Sequence, residues 1–445
     1  MTLSTQPYKG ARDFYPEDKR IQKYMFARMR KISERFGYEE YDAPILEPTE
    51  LYLSKGNQEI ITEETYTFTD RGGRSVTIRT EMTPTVSRMV AAKRQELAYP
   101  VRWYSIPNLW RYERPQRGRL REFWQYNADI FGIEGVEADH EVVMLADQIM
   151  RAYGAKTEMY TILISSRKLV DELFGNYLGL DNTQKETLIR LIDKFKKLPY
   201  ETFVAQADAI LAPSQRDNGT LDNLLQLLKT TKLEQLPDGF AGNPSVLRLR
   251  QLTGMLADSK ITNAVFDITL MRGFDYYTDM VFEVFDNHPD NNRAMFGGGR
   301  YDGLVGIFGV EPVPTVGFAM GDVPLQNFLE SHELLPVLQP ETDAYVVLAG
   351  DVLYEKAQPA LAELRRMGLN IAVDSTGRKM DKQIKTAVKK GIPYAIFIGE
   401  AELASGQYKL RNLADGTENS HGLERIVTIV KDYRKPKTPV ADEDL

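Results

Sequence analysis

Four stretches of the chain combine residue types that bind charged ligands. The longest is residues 101–132, VRWYSIPNLWRYERPQRGRLREFWQYNADIFG. With 121–131 read as a strand, period-two alternation places Phe123, Gln125, Asn127 and Asp129 on one face. Trp124, Tyr126, Ala128 and Ile130 fall on the other, as ordinary core. A ring, two amides and a carboxylate are costly to bury without partners. That face suits the wall of a polar pocket, or equally the solvent side of an antiparallel strand. The preceding strand ends at 110–113 and adds Arg111 and Glu113 on a shared side. The connection 114–120 carries Arg114, Gln116, Arg117, Gly118 and Arg119. A flexible basic loop can hold phosphates or the end of a nucleic acid, or simply keep a surface solvated.

The second stretch is TIRTEMTPT, residues 77–85, where Arg79, Glu81 and Thr83 alternate onto one face. Glu81 can take an ammonium group and Thr83 can add a hydroxyl; a surface strand gives the same pattern. The third is LMRGFDYYTDMVFE, residues 270–283. A buried Arg272 between apolar runs needs an anion, either a ligand phosphate or Asp275. Tyr276 and Tyr277 follow, as packing or as recognition. The fourth is FGGGRYDGL, residues 296–304, whose glycines permit close approach of backbone to a ligand. It is neither a Walker loop nor a dinucleotide fingerprint, so a bulge or tight hairpin is the default reading.

Composition removes other chemistries. The 445 residues contain no cysteine, which excludes disulfides, thiolate metal sites and a cysteine nucleophile. The four histidines, His140, His288, His332 and His421, have no ligand-like spacing, so no protein-built metal site is expected. Net charge is −7, so a nucleic-acid partner needs local basic patches. No apolar run has the length of a membrane span and the first residues lack the core of a signal peptide, so a cytoplasmic protein without a membrane partner is expected.

The positioning elements are legible in outline. Residues 15–36 form an amphipathic helix with Ile21, Tyr24, Met25, Met29 and Ile32 on one stripe. Residues 41–52 are extended around Pro44 and Pro48. A hairpin spans 65–83 about the turn 70–73, and a helix follows with Pro84 at its first position. Another helix covers about 137–152. From about 166 to 257 the texture is helical, with strands returning at 261–285 and a glycine-rich turn at Gly297–Gly299. Residues 331–342 read as a linker. Beyond it, strands at 344–350, 370–374 and 394–399 alternate with helices near 355–367 and 378–390, a small parallel α/β domain. On that last helix Arg378, Lys382, Lys385 and Lys389 make a basic stripe, while Met380, Ile384 and Val388 line another face. The last ten residues read as a disordered tail.

Together these segments resemble the histidyl-tRNA synthetases, a class II aminoacyl-tRNA synthetase family, from about Tyr8 to Tyr433. RTEMT resembles the family's Arg-Thr/Pro-Glu-x-Thr segment, RYERPQRGRLREFWQ its motif 2, and RGFDYYT and GGGRYDGL its two histidine-specific motifs. YDAPILEPTELY occupies the place of motif 1. The resemblance implies an α+β catalytic domain over 1–330, an antiparallel sheet flanked by helices with a helical insertion at about 166–257. It also implies a linker at 331–342, an anticodon-binding α/β domain over 343–435 and a tail at 436–445.

Its activity would be histidine activation with ATP to histidyl-adenylate, then transfer to tRNA(His). Carried over residue by residue, Arg111 and Arg272 resemble the catalytic arginines at the α-phosphate, and both also serve histidine binding. Glu113, Arg119 and Phe123 resemble ATP contacts. Glu81, Met82, Thr83 and Gln125 fall in the histidine-binding segment, with Asp129, Tyr276 and Tyr277 about the imidazole. Arg114, Gln116 and Arg117 would meet the acceptor stem; Arg378, Lys382 and Lys385 would track the anticodon stem-loop. Mg2+ on the ATP phosphates and a homodimer are further implications. One departure stands out: in GFAMGDVPL, residues 317–325, Pro324 occupies the place of the ATP-packing arginine of motif 3. Arg119 and Arg300 are the cations available to compensate. That gap motivates the alternatives, a non-catalytic regulatory subunit of ATP phosphoribosyltransferase or a sensor of uncharged tRNA.

Overall fold

The strand Glu122–Phe131 (β7) is the axis of the larger sheet. A computed structural model describes residues 3–53, 64–195, 198–270, 276–291, 293–350 and 354–434. Its contacts divide the chain into a larger unit, Met1–Phe14 with Gln22–Leu335, and a smaller one, Tyr15–Ile21 with Pro336–Leu445.

In the larger unit nine strands form one sheet. Its order is Glu39–Glu40 (β1), Val101–Ser105 (β5), β7, Thr315–Gly321 (β12), Ala294–Arg300 (β11), Met280–Asp286 (β10), Tyr160–Ser166 (β8) and Ala264–Phe266 (β9). Asn108–Trp110 (β6) pairs with the other end of β7. The centre is antiparallel, as expected, but both edges are parallel, β1 on β5 and β9 on β8, which makes the sheet mixed. Both edge strands are too short to carry an alternation that sequence could reveal. Leu46–Pro48 (β2), Thr67–Thr69 (β3) and Ser75–Ile78 (β4) form a separate three-stranded sheet, in the order β2-β4-β3.

Period-two alternation explains why β7 holds its register. Tyr126, Ala128 and Ile130 are fully buried on the back of the sheet. The Tyr126 ring packs 5.5 Å from that of Phe318 on β12, and its hydroxyl lies 2.7 Å from Ser33 Oγ on the helix Pro16–Arg35. Met25, Met29 and Ile32 of that helix are buried, as its periodicity predicts. The helix Val136–Ala152 also flanks the sheet, and helices run from Arg167 to Asp258.

Three local expectations need correction. The hairpin strand stops at Ile78, because Arg79 turns inward and donates to the carbonyls of Asn108 (2.9 Å) and Ala43 (2.7 Å). Thr83 therefore opens the helix Thr83–Ala92, with Pro84 one position inside. Residues 41–52 are not wholly extended, since Glu50–Leu53 forms a short helix. Gly297–Gly299 is not a turn but the middle of β11, paired on both sides. A Cβ on Gly297, Gly298 or Gly299 would overlap a carbonyl oxygen of Phe282, Gly317 or Met280 respectively. Glycine is needed here for close approach of neighbouring strands rather than for a bend.

In the smaller unit Ala344–Leu348 (β13), Ile371–Val373 (β14) and Tyr394–Ile398 (β15) are parallel, in the order β14-β13-β15. Tyr408–Asn412 (β16) and Glu418–His421 (β17) extend the sheet antiparallel, a hairpin the sequence reading missed because its residues are mostly polar. Helices Tyr354–Arg366 and Leu423–Arg434 bury Leu361, Leu364, Ile426 and Val430 against it. The helix Met380–Lys389 buries Gln383 and Ala387, whereas Met380 and Val388 are exposed, so the expected apolar face is displaced by about one position. Arg378 precedes that helix. The proposed tail lies outside the described residues.

Candidate active site

The front of β7, β11 and β12 floors a cavity of about 300 Å³. Gly297, Gly298 and Gly317 contribute backbone to it, so its depth comes from absent side chains. Gly317 is decisive, because a Cβ there would overlap the Asp129 carboxylate.

Two linked clusters line this cavity. In the first, the Tyr276 hydroxyl donates to Glu81 Oε2 at 3.1 Å, and its ring meets that of Tyr301 at 5.8 Å. Tyr301 in turn donates its hydroxyl to Asp129 Oδ1. Tyr277 packs edge-on to Tyr276 at 5.1 Å, and Thr83 and Gln125 complete the wall. Both carboxylates are buried. Burial lifts the Glu81 carboxyl to about 7, while Arg111 and the hydroxyls of Tyr276 and Thr83 act in the opposite direction. Burial likewise lifts Asp129 to about 7, against the Tyr301 hydrogen bond. Two carboxylates held at so high a cost in ionisation mark a site built for a cationic or hydrogen-bond-donating ligand.

In the second cluster, Arg111 donates from Nε to the Thr80 carbonyl at 3.0 Å. Its guanidinium lies 5.5 Å from the centre of the Phe123 ring. Glu113 is 3.9 Å from Arg111 and 3.3 Å from Arg119. Arg119 is more than half exposed and Glu113 largely buried, so this ion pair closes the cavity rim. A fixed cation, an exposed cation and an aromatic face suit a nucleotide with its phosphates.

The cavity thus gathers Glu81, Thr83, Arg111, Glu113, Arg119, Phe123, Gln125, Asp129, Tyr276 and Tyr277 from segments read separately in the sequence. Met82 is fully buried and does not line it. The reason is that 81–83 is the mouth of a helix, where successive side chains do not alternate faces. Asn127 also misses it, donating to the Gln125 carbonyl at 2.9 Å. Arg114, Gln116 and Arg117 are exposed on the loop outside the cavity. Arg272 lies outside the described residues.

Arg300 is no substitute cation. It is buried, with Nε 2.6 Å from Asp139 Oδ1 and its other nitrogens on the carbonyls of Ile133 and Gly135. Pro324 does line the cavity. Tyr301 and Gly317 were not singled out as site residues. Tyr301 sits in GGGRYDGL, and the signal was its place inside a segment already marked. In the smaller unit Lys382 and Lys385 are exposed, whereas Arg378 pairs with Asp374 and is partly neutralised.

Comparison with known proteins decides the family. The histidyl-tRNA synthetase model matches residues 10–323, and an anticodon binding domain model matches 343–433. The chain belongs to the histidyl-tRNA synthetase family. Histidine--tRNA ligases of Leptospira biflexa and Opitutus terrae are 38% and 36% identical to it, covering 97% and 96% of this chain and 98% of each relative. A histidyl-tRNA synthetase structure from Nostoc sp. superposes with a TM-score of 0.81 at 22% identity, over 97% of this chain and 100% of that one. This family member is an aminoacyl-tRNA ligase, which activates histidine with ATP and transfers it to tRNA. The regulatory-subunit alternative has less support than these full-length matches.

Proposed function

We propose that the cavity joins histidine to ATP and that the observation carrying this reading is the pairing of its two clusters. Glu81, Thr83 and Gln125 receive the histidine ammonium group. Asp129 and the Tyr276–Tyr277 pair surround the imidazole, and Tyr301 fixes the Asp129 carboxylate. Neutral imidazole offers one donor and one acceptor, which a carboxylate and a phenol match. A pocket of this kind rejects ligands lacking those groups by on the order of 10⁴-fold.

At the other cluster Phe123 stacks adenine, Glu113 accepts from it, and Arg111 neutralises the α-phosphate and the substrate carboxylate. A carboxylate oxygen of histidine attacks the α-phosphorus. The new oxygen–phosphorus bond replaces the one to the β-phosphate, and pyrophosphate leaves with that electron pair. The nucleophile is already an anion, so alignment and charge neutralisation suffice and no protein base is used. Arg272 is the second cation of this step.

Mg2+ takes one or two carboxylates together with substrate phosphates. Glu283 also lines the cavity and would fit that role, and no cluster of three acidic or histidine ligands competes among the described residues. When bound, the ion neutralises the ATP phosphates.

The exposed Arg114, Gln116 and Arg117 meet the acceptor stem, and Lys382 and Lys385 the anticodon stem-loop. Exposed Ile45, Leu46, Leu53 and Phe68 support a homodimer formed through the three-stranded sheet. The absence of cysteine suits the cytoplasm.

The test is ATP–pyrophosphate exchange with and without histidine. Histidine-dependent exchange is the expected result. No exchange from folded protein with magnesium present would return the regulatory-subunit reading.

A further inference from the structure

We propose that Arg293 positions the 114–120 loop, and with it Arg119, at the rim of the nucleotide cluster. This rests on the assignment of that cluster to ATP.

Arg293 immediately precedes β11. Its Nη1 donates to the Arg117 carbonyl at 2.7 Å, and Arg117 Nη1 donates back to the Asp290 carbonyl at 3.4 Å. The loop tip is seated closely. Gly118 has a φ of +80°, and a Cβ on it would lie 3.0 Å from Arg293 Nη1 and 3.7 Å from Asn327 Nδ2. Gly118, Arg119 and Leu120, next along the loop, line the cavity. Arg293 therefore acts on the cavity wall through one backbone contact.

Hydrogen bonds hold the segment before Arg293. Buried Asp286 accepts from the His288 amide (2.8 Å) and Asn291 Nδ2 (2.6 Å), and lies 2.8 Å from His332 Nε2. The Asp286 amide donates to the Arg293 carbonyl at 3.0 Å. His332 directly follows the helix Asp322–Ser331, the same helix that carries Pro324 and Asn327. Proline at 324 leaves this wall without a cation of its own, and the loop tip and Arg293 meet against it. Holding the loop before ATP arrives removes part of the ordering cost of binding.

The test compares Arg293→Ala and Arg293→Lys in the full-length protein. In exchange assays the alanine variant is expected to raise the KM for ATP about tenfold, the loss of one charge-assisted hydrogen bond. The KM for histidine and the melting temperature stay at parent values, and the lysine variant recovers most of the effect. Trypsin supplies a readout independent of activity. Cleavage after Arg117 and Arg119 accelerates in the alanine variant and not in the lysine variant. Unchanged cleavage overturns the positioning role even if the parent exchanges normally. Faster cleavage with an unchanged KM for ATP overturns the link to ATP. An inactive parent with faster cleavage in the alanine variant condemns the ATP assignment and, with it, the proposed role.

Discussion

Replacing Glu81 with glutamine should stabilise the ligand-free protein while removing its histidine affinity. Glu81 ionises at about 7 in the folded protein against an ordinary 4.5. The native state therefore holds a proton that the unfolded chain has released across this interval. Stability falls as pH rises through it, and the full cost, roughly 3 kcal/mol, is reached above pH 7. Glutamine carries no such cost. The shift to about 7 already includes the opposing hydrogen bond from Tyr276. The net expectation is a gain of about 3 kcal/mol at pH 8.5 and close to none at pH 4.5.

Histidine binding moves the other way. Losing the carboxylate opposite a buried ammonium group weakens binding about 100-fold or more. In the parent, affinity should itself rise about tenfold between pH 6 and pH 8, as the carboxyl gives up its proton. Urea unfolding at pH 4.5 and 8.5, with calorimetric titration of histidine, measures both effects. If the variant shows no extra stability at high pH, or binds histidine as tightly as the parent, the reasoning about this buried carboxylate is wrong.

Asp129→Asn should likewise weaken histidine binding, and its largest effect should be on discrimination against amino acids without a ring N–H, read by exchange with competing substrates. Gly298→Ala should destabilise by more than about 3 kcal/mol, because the new methyl meets the Gly317 carbonyl in a paired strand; a denaturant midpoint close to the parent's would refute the packing argument. Lys382→Ala with Lys385→Ala should weaken tRNA binding and lower its salt slope by about 2, leaving histidine-dependent exchange intact. Filter binding at several salt concentrations gives that slope, and an unchanged slope would remove both lysines from the interface.

The pocket was legible where alternation carried it. Phe123, Gln125 and Asp129 were placed on one face by spacing alone, and the structure puts them in one cavity. Asn127 shares the spacing but folds back on the backbone, a choice made by a neighbour that spacing does not reveal. Gly297–Gly299 was misread because glycine signals turns locally, while its role here depends on strands distant in sequence. Arg300 illustrates the same limit. It lies inside GGGRYDGL, yet its charge is spent on Asp139, 161 residues away. The C-terminal helices and parallel strands were legible from their apolar cores, whereas polar β16 and β17 were not.

The Asp139 cluster also bears on how the chain acquires its shape during synthesis. This carboxylate is buried, and its partners Arg248 and Arg300 lie 109 and 161 residues further on. At about 5–20 residues per second, a ribosome needs roughly 8–32 s after making Asp139 to reach Arg300. Strand β7 waits still longer for β12, its neighbour in the finished sheet. Until both arrive, folding of the emerging segment would bury Asp139 without its arginines and leave an open strand edge. The first half of the chain is therefore the stretch most in need of protection on the ribosome, and it becomes secure only when the last strand of the larger sheet has been made.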